Sequence, residues 1–508
     1  MNTSGHNKNS YFKKLFSTLN SRAEAHTIVV LGITTLILAT VATTLKAATP
    51  LLFLVALYLS KRYKSLFVGF FLIAIYSLQF FSPHKYYSIV ALEGYEIENI
   101  LFKEGRIITY GVNLSNIFLA FSLACMTSEL VKRKSRDFAK YLRGSLLKHV
   151  LFALLYLVFG IGTAFLYSPY FTLSAVWTLQ NWQVFLVAIL VFYLYIAHRD
   201  KFNLIFVLIA FSLILQLILS SLQFLNQSSL GLSIEAGPGR QIYYALDEIR
   251  SFFRVQGTLL VHNELAYIII IFSAIIIPKM VQERKVLYLS SFIAGFATLV
   301  MTQSRTNWIA FIILIFIASK FFSKEITKML NNRVFKRGVL YFGLILSALS
   351  FIVIPRIILS FNAPLDNAGL SLRKKMITEG FQAFIVNPLM GYGAGTNEVV
   401  LHSLFPDGVM QLFPYPVHQG HLNFLLEYGI IGTTFFALPF YLTARRIINL
   451  VIKNKIFFVK HKNFIFTFFA GIISINLYYS FQNHFGIVEF PFVGLILGLG
   501  MIAAYSET

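Results

Sequence analysis

The sequence predicts an all-α protein, built as a polytopic transmembrane helical bundle of about 12–14 spans. Apolar residues make up 57% of its 508 residues and charged residues only 13%, with a mean hydropathy of +0.71. Soluble domains average about 25% charged residues. Apolar runs of about 17–25 residues recur along the chain, and each is long enough to cross a ~30 Å hydrocarbon core as a helix.

The apolar runs set the expected order of spans. The run at 47–60 is short, so 27–60 is alternatively a re-entrant hairpin and the number of spans is then lower. The spans are expected at residues 27–45, 47–60, 65–82, 109–131, 149–168, 181–197, 202–222, 261–278, 286–303, 306–319, 338–355, 421–444, 463–481 and 488–505.

The distribution of basic residues predicts the orientation of these spans. With the N-terminus in the cytoplasm, roughly three-quarters of the lysines and arginines fall in cytoplasmic segments, as the positive-inside rule requires. Both termini are then cytoplasmic. The net charge of +22 is therefore a topology signal, also suited to anionic membrane lipid, and it does not indicate nucleic-acid binding.

Several kinds of site are disfavoured by the sequence. The single cysteine, Cys125, excludes an internal disulfide framework and a cysteine-based metal site. No GxxxxGK[ST] loop occurs, and the GYGAG at 391–395 follows no strand, so it does not indicate dinucleotide binding. We expect no cofactor and no metal, because the predicted outer face carries no cluster of acidic ligands.

Most of the unusual polar residues fall on the predicted outer face. They lie in three segments, residues 223–262, the tight turn 301–308 and the long loop 356–420. Arg254, Arg305, Arg373 and His418 are therefore expected at one membrane surface.

Arg305 lies between two apolar runs with almost no loop. An arginine in the hydrocarbon costs about 2.5–3.5 kcal/mol, and such residues usually face a bundle interior or a cavity. Arg305 is either an interface anchor or an anion-binding guanidinium, and we favour the latter because its planar fork suits phosphate oxygens. Near Arg254, Asn263 is either a helix N-cap or a polar binding residue. His262 is expected to be a capping or interface residue.

The long loop is expected to contain an amphipathic helix lying on the membrane surface. Ser371 is its predicted N-cap, and Asn387-Pro388 should end the helix after Val386. Arg373 and the following lysines would occupy its first turn, where a bound anion would relieve their conflict with the helix dipole. A solvated charge run is the alternative. The apolar stripe consists of Leu372, Met376, Ile377, Phe381, Phe384 and Ile385.

The stretch PVHQGHLNFLLEYGIIG at 416–432 opens an apolar run with two histidines. His418 and His421 recur at helical spacing and are expected on one flank of the incoming helix. Histidine readily serves as a base near neutral pH, although a structural role is the alternative. Gly429 and Gly432 would let a neighbouring segment pack closely.

Together these residues resemble the O-antigen ligase and O-antigen polymerase superfamily, over about residues 250–432. The family's enzymes lie in the bacterial inner membrane and transfer glycans from undecaprenyl pyrophosphate. Gln419 departs from the pattern, since the family commonly has Asn or Ser after the histidine. The resemblance is carried by Arg254-x-x-Gly257, Ser304-Arg305, Arg373, Pro388-x-x-Gly391-x-Gly393 and His418-Gln419-x-x-Leu422-x-x-x-x-Glu427-x-Gly429-x-x-Gly432.

The resemblance implies a metal-independent, inverting glycosyltransferase with an extracytoplasmic site. Arg254 and Arg305 would hold the donor diphosphate, and His418 would take the proton of the acceptor hydroxyl. Arg373 would be a secondary phosphate contact or a loop anchor, while Glu427 would orient a neighbour. The remaining substrate-binding candidates are Gln419, His421 and Asn263.

The resemblance also implies partners and an organisation for the chain. The donor would be an undecaprenyl-pyrophosphate-linked oligosaccharide, the acceptor a glycan or lipid A-core, and a chain-length regulator is a possible partner. We favour a polymerase of O-antigen, exopolysaccharide or capsule over a ligase, with a lipid-linked sugar flippase or a scaffold as other readings. The expected regions are a cytoplasmic segment 1–26, a bundle 27–222, a catalytic region 223–445 and a C-terminal hairpin 446–508.

Overall fold

The structure is a computed structural model in which nearly every described element is a helix. It describes residues 22–40, 45–80, 87–90, 110–112, 114–132, 146–232, 234–235, 253–259, 262–331, 368–412, 417–481 and 489–506, together with single positions within 138–144 and 336–354. The chain divides into two compact units. The first comprises residues 1–84 and 200–354, and the second comprises residues 85–199 and 355–508.

The helices of the first unit are mostly apolar. They are α1 (Arg22–Thr40), α2 (Leu45–Tyr63), α3 (Leu66–Ser77), α7 (Asn203–Asn226), α8 (His262–Glu283), α9 (Val286–Met301), α10 (Arg305–Phe321) and α11 (Ser323–Leu330).

The second unit holds the remaining helices and one strand pair. Its elements are β1 (Tyr87–Val90), β2 (Tyr110–Val112), α4 (Leu114–Val131), α5 (Leu147–Tyr167), α6 (Phe171–Ala197), α12 (Ala368–Val386), α13 (Asn397–Leu404), α14 (Val409–Leu412), α15 (Gly420–Lys453), α16 (Lys455–Phe481) and α17 (Glu489–Tyr505).

The predicted helical membrane fold is confirmed. Each predicted apolar segment coincides with a helix except 338–355, which lies mostly outside the described residues. Among the described residues, seven helices are long and apolar enough to cross a membrane, and four further apolar helices are shorter. One detail departs from an all-α chain, because β1 and β2 form a short antiparallel pair.

Helix α8 is the centre of the first unit, since most of its residues are buried. It packs against α7, α9 and α10. Gly295 on α9 permits this approach, because a Cβ there would lie 3.1 Å from Leu213 and 3.3 Å from Ile269. Helix α3 is also buried along nearly its whole length, between α2 and α7.

Small residues bring helices together in the second unit. Gly494 and Gly498 on α17 form a GxxxG pattern facing α6. A Cβ at Gly494 would lie 2.5 Å from the Val184 carbonyl oxygen, and one at Gly498 would lie 2.8 Å from Val191. Without side chains at these points the two backbones approach closely, which is how membrane helices gain packing energy.

Helix α15 contains a break. Its 34 residues would extend about 51 Å if straight, longer than the ~30 Å hydrocarbon core. Gly429 has φ 60° and ψ −173°, which is non-helical. The part after the break, residues 430–453, would alone reach about 36 Å and is long enough to span. The part before it, 420–428, is therefore a separate short helical segment.

Candidate functional site

In the first unit, a three-residue turn joins α9 to α10. Gln303 adopts the left-handed region with φ 54°. Its side-chain amide donates to the Phe253 carbonyl at 3.1 Å, so the turn is joined to the residue before Arg254. The Ser304 hydroxyl donates to Asn263 Oδ1 at 2.9 Å and accepts from Asn307 Nδ2 at 2.8 Å. The start of α10 is thus fixed to α8.

Two glutamines of α7 hold the segment that carries Arg254. The Gln223 amide nitrogen donates to the Gly257 carbonyl at 2.8 Å, and its oxygen accepts from the Gly257 N–H at 2.8 Å. Gln216 donates to the Thr258 hydroxyl at 2.6 Å. Gly257 has φ 60°, a conformation that glycine adopts without steric cost. This explains the glycine three residues after Arg254.

Arg254 is half-buried against His262. Its Nη1 lies 2.8 Å from His262 Nε2, and the histidine is only 6% exposed. A guanidinium can only donate, so Nε2 accepts and the imidazole proton is on Nδ1. His262 is therefore a partner of Arg254, whereas the sequence indicated only a capping or interface residue.

Arg305 is the first residue of α10, and its side chain is exposed. The bond of Gln303 to Phe253 joins its turn to the Arg254 segment, and the bond of Ser304 to Asn263 joins the same turn to α8. Asn263 is not an N-cap, because α8 already includes His262. Its side-chain oxygen holds the Arg305 turn instead.

In the second unit, α12 leads into a tightly folded loop. The helix begins at Ala368, three residues before Ser371, so the predicted N-cap is wrong. The predicted stop at Asn387-Pro388 is confirmed, since α12 ends at Val386. The Tyr392 hydroxyl donates to the Ala383 carbonyl at 2.9 Å near this helix end, and burial raises the pKa of that hydroxyl.

Because α12 starts earlier than expected, its basic residues lie further from the start of the helix. Arg373 is half-buried and lies in the second turn, beyond the first-turn position that the sequence indicated. The conflict with the helix dipole is therefore smaller, because that effect fades within the first turn. The Lys375 ammonium lies 3.8 Å from the buried Glu379 carboxylate.

The loop after α12 replaces the helical hydrogen bonds that α15 loses at Gly429. The Tyr392 N–H donates to the Leu426 carbonyl and the Gly393 N–H to the Glu427 carbonyl, both at 2.9 Å. In return, the Ile430 N–H donates to the Pro388 carbonyl at 2.9 Å. A fourth bond joins the Ile431 N–H to the Leu389 carbonyl at 3.3 Å. We call this pairing of residues 388–393 with 426–431 the loop–helix splice.

Two glycines make the loop–helix splice possible. A Cβ at Gly391 would lie 2.5 Å from the Gly429 nitrogen, and one at Gly429 would lie 2.2 Å from the Leu389 carbonyl oxygen. Both have positive φ, 71° and 60°. These glycines of the family pattern therefore serve a backbone approach, which fits the sequence indication that GYGAG is no cofactor loop.

Glu427 is buried at the splice. Its carboxylate accepts from Asn397 Nδ2 at 2.8 Å, and the Gly395 backbone also hydrogen-bonds it. Both partners lie in the segment that follows α12. The carboxylate therefore holds this segment to α15.

His418 lies just before α15 and is half-buried. Gln419 is the N-cap of α15, and its side-chain oxygen accepts from the Leu422 N–H. Gln419 thus makes the bond that Asn or Ser makes at an N-cap. Val417 is fully buried in an apolar cluster with α12 residues. The backbone of His418 is therefore held by the residue before it and by the residue after it.

The two histidines do not share a helix flank, because the helix begins only after His418. His421 faces α16, where its ring makes an edge contact with Tyr479 and a hydrogen bond to the Asn476 backbone. A Cβ at Gly420 would lie 2.7 Å from the Tyr479 ring, so the start of α15 is packed closely on α16.

Sequence reasoning missed several residues that support the site. Gln216 and Gln223 stand seven residues apart in a mostly apolar helix, and this spacing indicates one polar face. Asn397 and the pairing of His262 with Arg254 had no such signal, because both depend on segments that meet only in the fold.

A comparison with known families finds a match over part of the chain. Residues 290–437 match the family model described as O-antigen ligase, a range that contains the Arg305 turn, α12, the loop–helix splice and His418. No curated protein matches the chain. The matched domain gives the chain a glycan-processing function of the O-antigen ligase or polymerase type in a multi-pass membrane protein. Residues 290–437 are thus similar to the O-antigen ligase family, whose members are membrane glycosyltransferase-like enzymes.

Proposed function

We propose that the protein is a glycan polymerase of the bacterial inner membrane, acting on an undecaprenyl-pyrophosphate-linked donor at the extracytoplasmic surface. The observation that carries the proposal lies within the first unit: the hydrogen bond of Gln303 to Phe253 joins the Arg305 turn to the residue before Arg254. The bond of Ser304 to Asn263 joins the same turn to α8, the helix of His262. Two guanidinium groups on joined segments suit the two phosphates of a lipid diphosphate.

The proposed reaction is an inverting transfer. The acceptor hydroxyl oxygen attacks the anomeric carbon while the bond from that carbon to the diphosphate oxygen breaks. His418 takes the hydroxyl proton, and Arg254 and Arg305 stabilise the negative charge on the leaving lipid diphosphate. Arg373 is a secondary phosphate contact. No step requires a metal, so activity should persist in EDTA.

His418 is supported as the base by how it is held. The N-cap at Gln419 and the buried Val417 fix the backbone on either side of it, and the imidazole itself remains half-buried. A base fixed on a rigid element needs little reorganisation before it accepts a proton. Gln419 and Glu427 act through position, Gln419 by capping α15 and Glu427 by holding the splice.

A ligase that passes a finished chain to lipid A-core is the second candidate, since the matched family model carries that description. A flippase for lipid-linked sugar is the third. The surface polysaccharide of a deletion strain separates them. Loss of a polymerase leaves one repeat on the core, loss of a ligase leaves bare core with long lipid-linked chains, and loss of a flippase leaves repeats on the cytoplasmic face.

Complementation of the deletion strain tests the residue roles. His418→Ala should abolish transfer while the protein still accumulates in the membrane. His402→Ala, which changes another half-buried histidine of the second unit, is the matched control and should restore polymer. Normal polymer with His418→Ala would exclude this histidine as the base. Arg305→Lys should also fail, because an ammonium lacks the guanidinium fork, and full activity would identify Arg305 as an anchor.

A further inference from the structure

Helix α12 has apolar side chains on two different faces. One face packs into the second unit, where Met376 and Ala383 are fully buried and Gly380 lies against Val417. The other bears Ile377, Phe381 and Ile385, which are 37%, 53% and 58% exposed. The single apolar stripe expected from the sequence is thus split between a protein-facing and an exposed set.

The exposed apolar residues form a ridge along the helix. Ile377, Phe381 and Ile385 recur every fourth residue, which at about 100° per residue keeps them within roughly 80° of one another. Thr378 and Gln382 are exposed next to this ridge on its far side. The helix therefore has three sides, one facing the protein core, one apolar and exposed, and one polar and exposed.

Exposed basic residues accompany the apolar ridge. Lys374 falls on the same stripe, one turn before Ile377, and Lys375 is exposed on the polar side. An apolar ridge with lysines beside it is the pattern of helices that lie in the plane of a membrane surface. Lysine ammonium groups near that surface are attracted to anionic headgroups.

The position of α12 beside a membrane-spanning helix agrees with this pattern. The loop–helix splice ties the end of α12 to α15 at residues 426–431, and Gly380 packs against Leu422 near the start of α15. Since residues 430–453 are long enough to span, the splice lies near one end of the span. The splice therefore holds α12 near that end of residues 430–453.

We propose that α12 is an interfacial helix bound to the membrane leaflet on the His418 side. Ile377, Phe381 and Ile385 lie among the acyl chains, while Lys374 and Lys375 contact anionic phospholipid headgroups. The helix then holds the loop–helix splice, and with it the His418 segment, at the surface that a lipid-linked donor occupies. The lipid contact itself does not depend on the proposed reaction.

Fluorescence quenching of the full-length protein in lipid nanodiscs tests the proposal. With Cys125→Ser as background, Phe381→Cys and Gln382→Cys each carry a small fluorophore. The two labels differ by one residue and about 100° around the helix. We expect lipids brominated on the acyl chains to quench the label at 381 several-fold more than that at 382, and aqueous iodide to do the reverse.

Other results would overturn the proposal. Equal access of iodide to both labels would place the helix in water, and protection of 381 from both quenchers would indicate a protein occupant. Ile377→Cys provides a second position should the 381 variant not fold.

Replacing both lysines by glutamine should remove any increase of bromolipid quenching caused by phosphatidylglycerol. If that increase persists, the lysines do not contact the headgroups. Transfer activity is not measured, so failure here is distinct from failure of the proposed function.

Discussion

Gly391→Ala tests whether the loop–helix splice is a requirement of the fold. Gly391 has φ 71°, and an added Cβ would lie 2.5 Å from the Gly429 nitrogen and 2.6 Å from the Glu427 carbonyl oxygen. Both obstacles are backbone atoms, so neither can rotate aside. The loop must instead move away from α15, which breaks at least the bonds made by Tyr392 and Gly393.

The expected cost is the sum of two contributions. A non-glycine residue in the left-handed region costs about 1–2 kcal/mol. Two lost backbone hydrogen bonds cost about 0.5–1.5 kcal/mol each, so Gly391→Ala should destabilise the protein by about 2–5 kcal/mol. Gly231 has nearly the same φ, 73°, but nothing within 4 Å of an added Cβ. Gly231→Ala is therefore the matched control and should cost only about 1–2 kcal/mol.

The measurement is the free energy of unfolding of each purified variant in detergent. It is obtained by denaturant titration under the same conditions for all variants. Transfer activity is measured in parallel by complementation. Gly391→Ala should lower both stability and activity, whereas Gly231→Ala should lower stability slightly and leave activity intact. Equal loss of stability in the two variants would refute the reasoning, because the only cost would then be conformational.

Three further outcomes are expected. His262→Ala removes the acceptor that orients Arg254 and should raise the KM for the lipid-linked donor. His262→Asn should bring the KM part of the way back. An unchanged KM would show that the contact of Arg254 with His262 has no part in donor binding. Asn397→Ala removes the side-chain amide donor of the buried Glu427 carboxylate and should lower the free energy of unfolding by about 1–3 kcal/mol in denaturant titrations. No measurable change would contradict this and would indicate that water replaces the amide. Gly498→Leu should prevent α17 from packing on α6 and abolish accumulation in the membrane, and normal protein levels on immunoblots would contradict this.

Much of the fold could be predicted from local properties of the sequence. Hydropathy located the helices, because the cost of exposing polar groups to hydrocarbon depends on composition over one segment. The end of α12 at Asn387-Pro388 followed from the restricted backbone before proline. The sequence order of Arg254, Arg305 and His418, together with the resemblance, indicates these three residues as site candidates.

Their surroundings could not be predicted in the same way. The helical spacing of His418 and His421 suggested one flank, but the N-cap at Gln419 starts the helix after His418. Gly391 could bind a ligand or permit the close approach of another backbone segment. Which of these holds depends on the break at Gly429, about forty residues away. A sequence pattern records such a glycine without recording what approaches it.

The sequence by itself determined a chain of apolar helices, where α12 stops, and which charged residues are unusual for a membrane protein. These follow from the local balance of hydrophobicity and backbone restriction. Only the tertiary structure decided that Arg254 is held by His262, that Glu427 is held by Asn397, and that a loop completes the hydrogen bonds of a broken helix. Each of these joins segments distant in sequence, and such pairings are fixed by packing and by the need of buried polar groups for partners.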